Sequence, residues 1–150
     1  MEIVKNPDKI LRLIMKPVKN ISSETLKLAE EMKTIMKTSN GVGLAANQVG
    51  VDLRVFVIDE NLAKENNVPE VYFNPEITEY SKDLAEMEEG CLSLPQYWKD
   101  IKRSKKIKFK ATGIDGKKIK IKARGFLARV LQHEVDHLNG LLIKDRLNEK

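Results

Sequence analysis

The chain has 150 residues, of which 41% are hydrophobic and 33% charged, and its formal net charge at pH 7 is +5. This length fits one domain that buries about 70% of its unfolded surface, and the composition excludes a disordered chain. Its apolar runs are too short to span a bilayer, and scattered charges near the start exclude a secretory signal. A single cysteine excludes an internal disulfide and predicts a cytoplasmic location.

The first forty residues predict an irregular arm followed by a helix. Two prolines cut residues 3–19, which favours an irregular path with one helical turn over residues 10–15. A helix then begins at the candidate N-cap Ser22 and ends at Asn40-Gly41. Its apolar residues recur at helical spacing and predict a buried stripe made of Leu26, Ala29, Met32, Ile35 and Met36.

The middle of the chain predicts short strands. Residues 53–59 and 71–73 are rich in β-branched and aromatic side chains, and an Asn-Pro pair should end the second strand. Residues 60–69 are polar and predict a loop, whereas residues 76–87 predict weaker strand material.

Much of the positive charge lies between Lys99 and Arg124. Apolar residues alternate there with lysines on both sides of Asp115-Gly116, as in a hairpin with its polar face in water. Docking to RNA or to an RNA-rich partner is the alternative. The lysine face of this stretch lacks stacking aromatics, so we expect no direct reading of nucleic-acid sequence. With no internal repeat, these elements predict one α+β domain with an antiparallel sheet.

Both histidines of the chain lie in residues 124–140, RGFLARVLQHEVDHLNG. Apolar residues recur there at three- and four-residue steps, which predicts a helix closed by its Asn-Gly pair. On such a helix His133 and His137 share one face and can bind one metal ion, with Glu134 close to a water on that ion. The alternative is a solvated helix that happens to carry two histidines, but the apolar stripe on the same helix disfavours it.

Two histidines leave a third metal ligand to find. Asp145 and Glu149 follow the helix, but Cys91 is the stronger candidate because a thiolate binds metal well. It lies in EGCLSLP, where Pro95 should end a strand. Two nitrogens, one sulfur and an open fourth position are typical of a catalytic site. A small buried structural cysteine is the alternative.

The glycine-rich stretch GVGLAANQVG, residues 41–50, matches the pattern G-x-G-x-x-A of dinucleotide-binding loops. That pattern requires a strand before the glycines and a helix after them, and the order here is reversed. The phosphate-loop lysine is also missing, so a nucleotide site is not expected. The stretch instead offers free backbone groups and Gln48, a neutral donor for a developing oxyanion.

Taken in order, GVGLAANQ, EGCLSLP and QHEVDH resemble the three signature motifs of peptide deformylases, and the similarity covers nearly the whole chain. The short region between the first two motifs is similar to the bacterial form without the large insertion. The resemblance implies a single catalytic domain over residues 1–150, with antiparallel sheets around a central helix that carries HEVDH.

The resemblance also implies one divalent metal ion bound by Cys91, His133 and His137. Fe(II) is the ion expected of the family, although Zn, Ni or Co can occupy the site. From the ligand set alone we would expect zinc.

The implied reaction removes the N-terminal formyl group from formyl-methionyl nascent peptides and releases formate. A metal-bound water would be the nucleophile, with Glu134 as general acid and base. Gln48 and the backbone N–H of Leu92 would stabilise the oxyanion together with the metal.

The family holds its substrate as an added strand, which gives affinity through main-chain pairing. The residues implied for this role are Val42, Gly43, Leu44, Glu89 and Gly90. A methionine pocket is implied near Val42, Glu89, Val130 and His133. Glu89, Asp136 and Arg103 are candidates to support the metal ligands, with ordinary surface ion pairs as the alternative.

Two features depart from the family pattern. Gln96-Tyr97-Trp98 is an unusual string, which predicts a differently shaped entrance to the substrate groove. Many bacterial relatives carry a further C-terminal helix that contacts the ribosome, and here we expect only a short polar tail. A ribosome partner therefore requires another surface, for which the lysine-rich hairpin is the candidate.

Two other functions stay open at this point. A zinc peptidase built on H-E-x-x-H would take its third ligand elsewhere than Cys91. A structural metal module in a translation-associated binding protein would need a closed site with four ligands, and the sequence offers no fourth strong ligand near Cys91.

Overall fold

In this computed structural model the described residues are 1–147, and they form an α+β domain. Two single-turn 3₁₀ segments, Lys9–Arg12 and Ala46–Val49, accompany the regular elements. In chain order these are α1 (Ser23–Thr38), β1 (Gly43–Ala45), β2 (Val55–Ile58), α2 (Glu60–Asn66), β3 (Val71–Tyr80), β4 (Leu84–Cys91), β5 (Leu94–Ser104), β6 (Lys106–Thr112), β7 (Lys118–Arg124), α3 (Gly125–Leu138) and α4 (Ile143–Arg146).

All strand pairs are antiparallel and form two sheets. The larger sheet has the order β1-β2-β3-β6-β7, so β1 lies at one edge, and β4 pairs with β5 in the smaller sheet. The expected antiparallel arrangement around a central helix is confirmed. No helix within residues 1–147 is long and apolar enough to cross a bilayer.

At β2 and β3 the larger sheet is covered on both faces, and alternate side chains pack on opposite sides. On one face Phe56 and Tyr72 pack against α3, where Leu131 and Leu138 are fully buried. On the other face Val55, Val57 and Phe73 pack against Met32 and Met36 of α1. Burial of each large side chain stabilises the fold by about 1.5–3 kcal/mol, so α3 is held firmly against the sheet.

Both predicted helices are confirmed. The side chain of Ser22 caps α1 by accepting a hydrogen bond from the backbone N–H of Thr25. Beyond α3, Gly140 adopts φ 78°, the left-handed conformation expected of its cap. The predicted hairpin is also confirmed as β6 and β7, with Lys108 opposite Lys122 and the lysines exposed along both strands.

The loop predicted over residues 60–69 is wrong, because α2 occupies most of it. Asp59 caps this helix by accepting hydrogen bonds from the backbone N–H groups of Asn61 and Leu62, at 3.0 and 3.2 Å. Leu62 and Ala63 are buried. A helix of seven residues is too short to display a helical period in its sequence, so only its cap signalled it.

Neither proline ends a strand as predicted. β3 continues through Asn74-Pro75 because its register with β6 shifts there, and the Asn74 side chain bonds the backbone N–H and C=O of Val18 at 2.7 and 2.8 Å. Strand pairing is irregular at this bulge, so the sheet accommodates Pro75, which has no backbone N–H to donate. Pro95 is the second residue of β5, since the preceding strand already ends at Cys91.

Three further boundaries differ from prediction. The N-terminal turn is Lys9–Arg12 rather than residues 10–15, and the strand expected over residues 53–59 is the shorter β2. The segment after α3 is not a polar tail, because it forms α4 and buries Leu142 and Ile143. Glu149 lies outside the described residues.

Candidate metal centre and substrate groove

Three side chains from two distant segments converge at the end of β4 and the C-terminal half of α3. Cys91 Sγ lies 3.2 Å from His137 Nε2, which lies 3.0 Å from His133 Nε2. All three ligand atoms are within 4.8 Å of one another. One thiolate and two imidazoles directed at a common point suit a tetrahedral divalent cation and leave a fourth position for another group. The residues therefore fit a metal site.

Asp145 does not join this cluster. Its carboxylate pairs with Arg12 and accepts a hydrogen bond from the backbone N–H of Leu142 at 2.8 Å. Among the candidates in residues 1–147, the thiol of Cys91 is the third potential ligand.

The orientation of His133 is set by Glu89 of β4. His133 Nδ1 lies 3.0 Å from Glu89 Oε1, and a carboxylate accepts at this position, so Nδ1 carries the hydrogen. Nε2 then faces Cys91 and His137 and is the nitrogen that would bind a metal ion in place of hydrogen. This is the arrangement that a metal-binding imidazole requires.

Glu89, Arg103 and Asp136 form a buried ion-pair network rather than ordinary surface pairs. Arg103 donates two hydrogen bonds to Glu89, at 2.6 and 2.9 Å, and one to Asp136 at 2.8 Å. Their side chains are only 4–8% exposed. The surface alternative is therefore wrong for all three.

Arg129 was missed by the sequence analysis, although it belongs to the same network. It pairs with Glu89 and donates to the backbone carbonyls of Ile101 and Ala85 at 3.0 and 2.7 Å. It thereby ties α3 to both strands of the smaller sheet. The available signal was its place one helical turn before His133, on the face that the apolar residues predict to be buried.

Charges stabilise one another in the metal-free cluster. Burial opposes ionisation, but the imidazoles of His137 and His133 lower the pKa of Cys91 to about 5. Burial likewise opposes the charge on His133, but hydrogen bonds to Cys91 and Glu89 raise its pKa to about 10. At neutral pH the cysteine is thus a thiolate, the form that binds metal.

Glu134 lies beside the cluster, and its side chain is almost completely buried. Its Oε1 has no hydrogen-bond partner among residues 1–147. Burial raises the pKa of this carboxyl, which makes the carboxylate a stronger proton acceptor than an exposed glutamate. Gly43 of β1 makes room for it, since a Cβ at that position would lie 2.5 Å from Glu134 Oε2.

Gln48 has a fixed orientation in the 3₁₀ turn after β1. Its Oε1 accepts from the backbone N–H of Ala45 at 3.0 Å, and its Nε2 donates to Ser93 Oγ at 3.1 Å. Nε2 also lies 3.5 Å from Cys91 Sγ, so the amide donor faces the cluster. Ser93, which the sequence analysis missed, is fully buried and donates in turn to the carbonyl of Val4 at 2.6 Å.

A cavity of about 610 Å³ opens beside these residues. Of the predicted substrate-binding residues, Leu44 alone does not line the cavity. The side chain of Leu44 is fully buried and packs in the core. Trp98 lies at the rim, 61% exposed, with its ring against Gly90. The predicted residues that line the cavity are Val42, Gly43, Gln48, Glu89, Gly90, Cys91, Leu92, Val130, His133 and Glu134.

The chain is similar to known proteins over nearly its whole length. The family model described as Polypeptide deformylase matches residues 1–150. A peptide deformylase of Dictyoglomus thermophilum is 48% identical over 149 residues, which cover 99% of this chain and 94% of that relative.

Solved structures show the same similarity. The peptide deformylase of Thermotoga maritima superposes with a TM-score of 0.90 and 43% identity, covering 97% of this chain and 95% of that one. A Met-Ala-Ser-bound deformylase of Acinetobacter baumannii superposes with a TM-score of 0.87 and 36% identity, covering 97% of each chain. The chain therefore belongs to the polypeptide deformylase family of hydrolases.

Proposed function

We propose that this protein removes the N-terminal formyl group from formyl-methionyl nascent peptides and releases formate. The observation that carries the proposal is the convergence of one sulfur and two imidazole nitrogens beside a buried glutamate at the wall of a groove. Family membership supports the same reaction. Such peptides are made in the bacterial cytoplasm, which is where we place the protein.

Cys91, His133 and His137 would hold the metal ion, for which we propose Fe(II), with Zn, Ni or Co as replacements. When bound, the ion supplies a Lewis acid that lowers the pKa of water and polarises the formyl carbonyl. The thiolate form of Cys91 and the Nδ1–H form of His133 prepare the ligands for this role.

Glu134 supplies the proton transfers. Its carboxylate accepts a proton from the attacking water and later delivers it to the leaving amine, so water and formamide become formate and a free amino terminus. Gln48 Nε2 and the backbone N–H of Leu92 donate to the oxygen that becomes negative. Each such donor contributes on the order of 3 kcal/mol to transition-state stabilisation.

Two strand edges border the groove and suit an extended peptide. β1 is an edge strand of the larger sheet, and β4 pairs with β5 alone among the described strands. A peptide lying against Val42, Gly43 and Leu44 on one side and Glu89 and Gly90 on the other would gain main-chain pairing that ignores most side chains. A methionine side chain would enter between Glu89, Val130 and His133. The Acinetobacter relative binds Met-Ala-Ser, which supports a peptide that begins with methionine as the ligand.

The proposal is tested by anaerobic incubation of iron-loaded protein with a formyl-Met peptide, with formate and bound metal both quantified. We expect catalytic formate release, its loss in Cys91→Ser together with the metal, and its loss in Glu134→Gln with the metal retained. A zinc peptidase would keep its metal in Cys91→Ser and cleave internal peptide bonds. A structural metal module would keep full function in Glu134→Gln. Folded, iron-loaded protein without turnover would refute the assignment.

One surface outside the groove favours a second, binding role. The hairpin lysines share one face, where Lys108 stands opposite Lys122 and Lys110 opposite Lys120. Like charges placed directly opposite each other destabilise a sheet. Two of these lysines also have acidic partners, since Lys108 pairs with Glu79 and Lys110 pairs with Glu76. We propose this face as a docking surface for RNA phosphates of the ribosome.

Ribosome pelleting at low salt tests this role. Lys118→Gln/Lys120→Gln/Lys122→Gln should weaken binding and flatten its salt dependence by about one unit of slope per charge removed. The control Lys19→Gln/Lys27→Gln/Lys64→Gln removes the same charge from exposed sites elsewhere. No pelleting at low salt, or equal loss in both variants, would exclude the docking surface.

A further inference from the structure

A continuous chain of charged side chains connects α4 to His133. Arg146 donates to both oxygens of Asp136, from Nε at 2.9 Å and from Nη2 at 2.6 Å. Asp136 also accepts from Arg103 at 2.8 Å, and Arg103 holds Glu89 through two further hydrogen bonds. Glu89 Oε1 then meets His133 Nδ1 at 3.0 Å.

The end of this chain determines which nitrogen of His133 is free. Oε1 of Glu89 is shared between Arg103 Nη2 and His133 Nδ1, so the position of Arg103 affects the oxygen that orients the ring, while Arg129 pairs with Oε2. A displaced Glu89 would release the Nδ1 hydrogen, and the neutral imidazole could then carry its hydrogen on Nε2 instead. An Nε2–H imidazole presents no lone pair toward Cys91 and His137.

The start of the chain determines where Arg103 lies. Asp136 is a buried carboxylate whose side chain is 8% exposed, and Arg146 donates to both of its oxygens and shares Oδ2 with Arg103. Without Arg146, Asp136 would depend on Arg103 and draw its guanidinium away from Glu89, because an unpaired buried charge is costly.

We propose that Arg146 is a positioning residue for His133: by holding Asp136 it keeps Arg103 and Glu89 in the arrangement that leaves His133 Nε2 free to bind metal. The inference rests on the metal site of the proposed function. It gives α4 a role in the centre, although Arg146 is not among the residues that line the groove.

A second arginine contact on α4 supplies a matched control. Arg12 pairs with Asp145 of the same helix, with the two side chains 40% and 33% exposed. Arg12→Met therefore removes one arginine–carboxylate pair from α4, as Arg146→Met does, but leaves Asp136 and its partners in place.

The experiment measures the rate at which cobalt-loaded protein releases its metal to a chelator. Loss of a group that supports a metal ligand weakens metal binding by roughly 10–100-fold, so Arg146→Met should release cobalt at least about tenfold faster than the parent. Arg12→Met should release it at the parent rate. Arg146→Lys keeps the charge without the bidentate fork and should lie between them. Parent-like release from Arg146→Met, or equal acceleration in Arg12→Met, would overturn the proposal.

A second readout does not depend on bound metal. In metal-free protein, proton NMR should show the Nδ1–H of His133 hydrogen-bonded to Glu89 in the parent and in Arg12→Met, and this hydrogen bond weakened or lost in Arg146→Met. An unchanged Nδ1–H signal in Arg146→Met would contradict the proposal. Failure of the parent protein to bind cobalt would count instead against the metal site itself. If Arg146→Met does not fold, Arg146→Lys carries both measurements.

Discussion

Replacing Arg103 by methionine should expose how strongly the buried charges depend on one another. The substitution keeps much of the apolar stem but removes the guanidinium that bridges Glu89 and Asp136. Breaking a buried ion pair costs about 3–5 kcal/mol because the remaining charge loses its partner. Arg129 and Arg146 still contact the two carboxylates, so we expect about 3 kcal/mol.

The pKa of Glu89 leads to a similar magnitude. Burial opposes its ionisation, but hydrogen bonds from His133 and Arg103 hold its pKa at about 2, below the ordinary 4.5. This difference corresponds to about 3 kcal/mol at neutral pH. Because the folded pKa is the lower one, the stabilisation is complete above pH 4.5 and is lost as the pH falls toward 2.

Denaturant unfolding of metal-free protein at pH 7 and pH 3 measures both effects. At pH 7, Arg103→Met should lose about 3 kcal/mol of unfolding free energy, or roughly 6–12 °C in Tm, while the exposed Lys102→Met on the same strand should change by less than about 0.5 kcal/mol. The parent should lose more stability between pH 7 and pH 3 than Arg103→Met does. A loss below about 1 kcal/mol, or identical acid dependence in both proteins, would refute the reasoning.

Three further substitutions test the groove. Gly43→Ala places a Cβ 2.5 Å from Glu134 Oε2, so kcat should fall by about 10²-fold or more while metal content is unchanged, and parent-like turnover would contradict the role of Glu134. Gln48→Ala removes a donor to the oxyanion and should lower kcat by about 10²–10³-fold, more than it raises KM; a change confined to KM would exclude that role. Trp98→Ala opens the rim beside Gly90, so preference among residues after the methionine should change while kcat for the shortest formyl-Met substrate stays constant; unchanged preference would remove Trp98 from substrate selection.

The sequence was most informative where chemistry demands particular residue types. The spacing of His133 and His137 follows from the helical period, and their shared face on α3 is what the structure has. Cys91 was singled out as the only cysteine, and its position 3.2 Å from His137 brings the candidate ligands together. These inferences needed only local periodicity and ligand preference.

What the sequence could not predict depends on tertiary packing. Glu89 contacts Arg103 and Arg129, which lie 14 and 40 residues away, and no local pattern predicts that either arginine pairs with this glutamate. The bulge at Asn74 depends on contacts with Val18, 56 residues away. These contact partners are determined by how the two sheets and α3 pack together.

The central claim is that Cys91, His133 and His137 bind a single cation with one position left open. Anomalous diffraction from crystals of the iron- or cobalt-loaded protein tests it directly. The account predicts one strong peak within bonding distance of Sγ and both Nε2 atoms, with no fourth protein ligand. A peak elsewhere, or a fourth side chain bound to the ion, would contradict it.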